Sequence, residues 1–170
     1  EQLAEESIVM LKNENNALPL ANNISKIAVV GPMAKSSWHL LGSWRAQGNA
    51  EDAVTIFQGL ENEFKNKAQL SYAPGCDFDG EDKSGFEEAL AITKNADAVI
   101  VCLGEKAQWS GENASRSTLS LPQIQENLVA ELKKAGKPII LLLSSGRPLE
   151  LVSLEKLSNG MLQIWQPGIA

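Results

Sequence analysis

A chain of 170 residues, 44% hydrophobic and 21% charged, can bury roughly 70% of the surface its unfolded form exposes and is too apolar for a disordered tail. Fifteen Lys and Arg against 21 Asp and Glu leave a net charge of −6 without a basic cluster, which argues against a nucleic-acid reader held by counterion release. The longest apolar runs, Ala98–Leu103 and Ile139–Leu143, are strand-sized and far short of the ~20 residues that cross a bilayer.

At the start, Leu3, Ser7, Ile8 and Leu11 fall on one helical face, as though a helix were entered partway. No initiating Met or signal-peptide pattern precedes them. Residues 1–24 read as a lead-in helix and linker ahead of a domain over 25–170, the whole an excised piece. A strand is predicted over Ile27–Val30, a helix over Thr55–Phe64 and a weaker strand over Gln69–Tyr72. A helix over Phe86–Asn95, a strand over Ala98–Leu103, a helix over Gln123–Ala135, and strands over Ile139–Leu143 and Met161–Trp165 complete the series. The main strand runs are continuous rather than alternating, the mark of strands covered on both faces. Their alternation with helices predicts a three-layer α/β/α sandwich with a mostly parallel sheet and right-handed crossovers. Lys133, Lys134 and Lys137, with Gly136 as left-handed cap and Pro138 beyond, close the third helix.

Ligands of such folds sit beyond the carboxyl ends of the strands. No G-x-G-x-x-G fingerprint or phosphate loop occupies those positions. Ser144-Ser145-Gly146-Arg147-Pro148 could offer amides and a cation to an anion, but reads more simply as a turn in which Arg147 and Pro148 open the next helix. Cys76 and Cys102 lack metal-ligand spacing, and His39 is the single histidine, so no zinc tetrad can form and a Ser-His-Asp triad is weak. The cysteines read as two inert thiols, with a disulfide as the alternative. His39 reads as a hydrogen-bonded structural group, and Asp77 as a turn or cap residue.

The loop after Leu103 is richer. Gly104-Glu105-Lys106-Ala107-Gln108-Trp109-Ser110-Gly111-Glu112-Asn113-Ala114-Ser115-Arg116 places two carboxyls, an indole and a guanidinium at the sheet's carboxyl edge. Indoles stack on the C–H face of a pyranose, carboxyls and Arg bond its hydroxyls, and a carboxylic acid can protonate a departing glycosidic oxygen. The alternative is an exposed acidic loop in which Arg116 pairs with Glu112.

Ser110-Gly111-Glu112-Asn113-Ala114-Ser115-Arg116, followed by Leu119-Ser120-Leu121-Pro122, resembles the acid/base loop of glycoside hydrolase family 3, in particular its bacterial β-glucosidases. Leu18-Pro19-Leu20, Leu41-Gly42-Ser43-Trp44, Gly75-Cys76-Asp77, Gly146-Arg147-Pro148-Leu149 and Trp165-Gln166-Pro167-Gly168 follow the same family's second domain in order, so the resemblance covers nearly the whole chain. It implies a two-domain retaining enzyme that hydrolyses terminal β-D-glucosyl residues of a β-glucoside or oligosaccharide substrate. An N-terminal barrel domain of the same protein would carry the nucleophile, and this domain, inert alone, would supply Glu112 as general acid/base. It further implies Trp44, Trp109 and Arg116 as substrate-binding residues and Glu105 as a support. Trp38 and Trp165 go to the core or the barrel interface. No metal or organic cofactor, nucleic acid or membrane is implied, and the expected location is periplasmic or secreted. A noncatalytic scaffold or sugar-binding module, or a flavodoxin-like ligand-binding domain, is the competing reading.

Overall fold

The computed structural model describes residues 2–168. Helix α1 (Gln2–Ser7) leads into strand β1 (Val9–Asn13), followed by β2 (Lys26–Val30), α2 (Ser37–Leu41), α3 (Ile56–Phe64) and β3 (Gln69–Ala73). Then come α4 (Phe86–Lys94), β4 (Ala98–Gly104), α5 (Gln123–Lys133), β5 (Ile139–Ser144), α6 (Val152–Leu157) and β6 (Gly160–Gln163). The six strands lie in the order β1-β6-β5-β4-β2-β3. Every pairing is parallel except that of β1 with β6.

Strand periodicity decides the layering. Ala28, Val30, Val99, Val101, Leu103, Leu141 and Leu143 point to one face, where α4, α5 and α6 bring Phe86, Ala89, Ile124, Leu128, Leu132 and Leu154. Ile27, Val29, Ile100, Cys102 and Ile140 point to the other, beneath Leu40 of α2 and Ile56, Leu60 and Phe64 of α3. Burial on both faces is why these strands read as unbroken apolar runs. The result is the α/β/α sandwich with a mostly parallel sheet.

Local chemistry explains several boundaries. Thr55 and Gln58 form a reciprocal capping box that starts α3. Gly136, at φ +67°, turns the chain after α5. The lead-in helix corrects the sequence reading, because it stops at Ser7 and Leu11 lies in β1. This antiparallel edge strand is largely exposed, with a bulge between Met10 and Lys12, so it carries no buried run to announce it. The last strand ends at Gln163, because Trp165 adopts φ +55° and leaves the extended path. Helix α6 starts at Val152, four residues beyond the expected opening at Pro148. The intervening chain instead crosses to the β4 loop, where the Glu150 N–H donates to the Leu119 carbonyl at 2.9 Å.

Cys76 and Cys102 are free and buried. Burial pushes the Cys76 thiol up to about 12, with the neighbouring Asp77 charge adding to it, and burial raises Cys102 as well. Both therefore stay protonated and unreactive at neutral pH. Among the described residues no helix is long and apolar enough to cross a membrane.

Candidate active site

The carboxyl edge of the sheet is built from the loops after β2, β4, β5 and β6. Gly31 ends β2 at φ +117° and lies against the Cys102 carbonyl, so a Cβ there would overlap it. Met33 donates its N–H to that carbonyl at 3.2 Å, which seats the start of the connection to α2. His39, in α2, accepts the Ala107 N–H on Nδ1 at 3.1 Å and packs edge-on against Phe78 with ring centroids 4.5 Å apart. The lone histidine therefore ties α2 to the β4 loop.

Desolvation, with a smaller contribution from the Lys106 charge, holds His39 below its ordinary value of 6.5, and Asp77 opposes the shift. The unfolded chain thus takes up this proton first on acidification. The stabilisation is complete above 6.5 and is lost as pH falls from there through the lower folded-state value. We expect the stability advantage of the parent over His39→Gln, read by urea denaturation, to shrink between pH 7 and pH 5. An advantage that does not change with pH would refute this linkage.

Two buried side chains fix the start of the β4 loop. The Gln125 side chain, fully buried in α5, accepts the Gly104 N–H at 3.0 Å and donates to the carbonyls of Gly104 at 2.9 Å and Phe78 at 2.7 Å. Glu105, 1% exposed, receives Arg147 Nη2 at 2.8 Å and Nε at 3.1 Å, and Arg116 Nη1 at 3.1 Å. The Arg116 guanidinium also stacks 4.1 Å from the Trp109 ring centre. Arg116 therefore pairs with Glu105, not with Glu112 as in the exposed-loop alternative, because Glu105 is fixed at the strand end and its buried charge requires a counterion.

After the short turn Ala107–Trp109, Ser110 Oγ lies 3.4 Å from Ser43 Oγ. Gly111, at φ +101°, then closes so tightly on Ser43 that a Cβ would come within 2.7 Å of the serine Cβ. Only glycine accepts both the left-handed backbone and that approach. Glu112 follows, exposed, on the rim of an open cleft of about 680 Å³ lined by Trp38, Trp44, Arg45, Gln108 and Asn113 among others. Trp44 is 73% and Trp38 46% exposed, and the Arg45 guanidinium stacks 3.7 Å from the Trp38 ring centre.

The fold thus brings Glu112 and Trp44 to one cleft and places Trp109, Arg116 and Glu105 beneath and beside the loop. Trp165 lies elsewhere, its Nε1 donating to the Ser7 carbonyl at 3.0 Å. Asp77 accepts the N–H of the next residue, Phe78, at 2.6 Å in a turn. In the Ser144–Pro148 turn, whose amides and Arg147 could have met an anion, Arg147 is turned onto Glu105, and the serine hydroxyls donate to the Trp165 carbonyl at 2.6 Å and the Arg147 carbonyl at 2.7 Å. Arg45 and the inward-turned Arg147 were missed as site residues, and only the charge of Arg147 behind a glycine hinted at its role.

The sandwich thus presents an exposed carboxylate and indoles at the carboxyl edge of its sheet. The chain belongs to glycosyl hydrolase family 3, whose C-terminal domain description matches residues 8–170. It is 38% identical to a β-xylosidase of Formosa agariphila, with 99% of this chain and 24% of that protein covered. With a periplasmic β-glucosidase of Salmonella typhimurium it shares 34% identity, covering 98% of this chain and 24% of the relative. The crystal structure of β-glucosidase from Listeria innocua in complex with glucose superposes with a TM-score of 0.89 at 34% identity, covering 99% of this chain and 22% of that one. The chain spans about a quarter of the length of the curated relatives it matches.

Proposed function

We propose that this domain supplies Glu112 as the general acid/base of a retaining β-glycosidase that removes terminal β-D-glucosyl residues, with the nucleophilic carboxylate on an N-terminal barrel of the same protein. The observation that carries the reading is the division of labour between the loop's two carboxyls. Glu105 is buried against two guanidinium groups, whereas Glu112 is exposed on the cleft rim without an ion pair among the described residues. A group held by two cations is poorly placed to donate a proton, and an unpaired one at an open cleft is free to do so.

In the first step the protonated Glu112 gives its proton to the glycosidic oxygen as the C1–O bond breaks and the barrel carboxylate bonds to C1. In the second, the Glu112 carboxylate takes a proton from water as the water oxygen displaces the nucleophile, so two inversions retain the anomeric configuration. Retention asks for carboxyls ~5 Å apart. Trp44 is the wall proposed to stack on the sugar, while Trp109 and Arg116 brace the loop and complete the binding surface from beneath. Relatives named for β-glucosidase and for β-xylosidase activity support glycoside hydrolysis, and one named exo-1,4-β-xylosidase supports removal of terminal residues. The relative described as periplasmic supports a periplasmic or secreted location.

The test is Glu112→Ala in the full-length protein with an activated aryl β-glucoside and added sodium azide. Azide needs no general base, so it should restore turnover and yield the β-glucosyl azide. Undiminished turnover without azide would favour a noncatalytic scaffold.

A further inference from the structure

We propose that Arg147 is the positioning residue for the acid/base loop: with Glu105 it fastens the outgoing and returning ends of that loop to each other and so holds Glu112 where the proton is delivered. The proposal rests on the assignment of Glu112 made above.

The loop leaves the sheet at Glu105, directly after β4, and one guanidinium from the β5 loop engages both of its ends. Arg147 directs Nε and Nη2 to the two carboxylate oxygens of Glu105 at 3.1 and 2.8 Å. On the returning side, Nη1 donates to the Arg116 carbonyl at 3.2 Å and Nη2 to the Thr118 carbonyl. The planar fork of arginine can meet a carboxylate and two carbonyls together, whereas a lysine ammonium is a point charge without that geometry. Gly146 reinforces the closure, since a Cβ there would overlap the Ser110 side chain, two residues before Glu112. The segment carrying Glu112 is therefore held by Arg147 at its base and by Ser43 near its tip, while its own side chain stays free.

Net stability is a weak explanation for this arrangement. Burying an ion pair is often no more stabilising than an apolar pair of the same volume. The arginine does, however, provide four directional bonds to groups at the outgoing and returning ends of the loop, and proton transfer is sensitive to placement at the ångström scale.

The experiment uses the full-length enzyme and the double variant Glu105→Leu/Arg147→Met, which removes that pair together; because Arg116 also loses its bond to Glu105 and keeps only its stack on Trp109, Arg147→Lys, which leaves the Arg116–Glu105 pair in place, is measured beside it. kcat/KM is measured for 2,4-dinitrophenyl β-glucoside, whose leaving group departs without a proton, and for methyl β-glucoside, whose leaving group requires one. Because kcat/KM reports the steps up to glycosylation, it isolates acid assistance. The expected result is a loss of about 10- to 100-fold on the methyl glucoside, with the dinitrophenyl glucoside close to the parent. Equal losses on both substrates, or no loss on either, overturn the proposal. Arg147→Lys, which keeps the charge and loses the fork, should show the same selective loss and serves as the readout if the double variant does not fold. Glu112→Gln is run in parallel. If it lacks leaving-group selectivity, the underlying assignment of Glu112 falls; if it has that selectivity and the Arg147 variants do not, only the positioning role falls.

Discussion

Glu112→Gln in the full-length enzyme should lower kcat/KM on unactivated glucosides by about 10²- to 10⁴-fold, the usual contribution of a placed general acid. Glutamine preserves the size of the side chain and, on this exposed rim, disturbs no ion pair among the described residues. A loss of activity would therefore report chemistry and not folding. The selectivity should follow leaving-group acidity, with alkyl and sugar leaving groups losing most and dinitrophenolate least. The pH profile of the acid-assisted step should also flatten, because an amide has no proton to give up. A uniform decrease across all leaving groups, with the pH profile unchanged, would place the proton donor elsewhere. Glu105 is a poor substitute, as two guanidinium groups already occupy its oxygens.

The largest expected effect on stability belongs to Gly31. At φ +117°, with the Cys102 carbonyl where a Cβ would stand, Gly31→Ala combines backbone strain with a collision against the main chain of the central strand β4. The sum is roughly 2–5 kcal/mol. The residue also opens the connection to α2, whose His39 bonds the acid loop. A shift there should therefore also disturb the acid loop, with the larger loss on substrates whose leaving groups need a proton. Gly59 is the control. It lies within α3, and nothing stands within 4 Å of its missing Cβ, so Gly59→Ala should gain about 0.5–1 kcal/mol from helix propensity. Thermal unfolding of the two variants should move in opposite directions. A parental midpoint for Gly31→Ala would show that β4 yields at this point.

Legibility in the sequence followed burial. β2, β4 and β5 were readable because both of their faces are covered, and the end of α5 because its glycine cap is a local signal. α2, five residues long, has no such repeat and escaped notice. β1 misled for the same physical reason, since it is an exposed edge strand whose pairing with β6 depends on residues some 150 positions away. At the loop, the glycine before Glu112 and the density of carboxyl, indole and guanidinium groups marked where chemistry could occur. They did not show which partner each charge would choose.

Residue order by itself determined the sandwich, its parallel core and the loop that carries Glu112, because continuous apolar runs and glycine-dependent turns act over a few neighbouring residues. Only the tertiary structure decided that Arg147 would clasp Glu105 from 42 residues away and leave Glu112 at the open cleft. Such a choice depends on which charges are driven from water together, and burial assigns that only once the layers have packed.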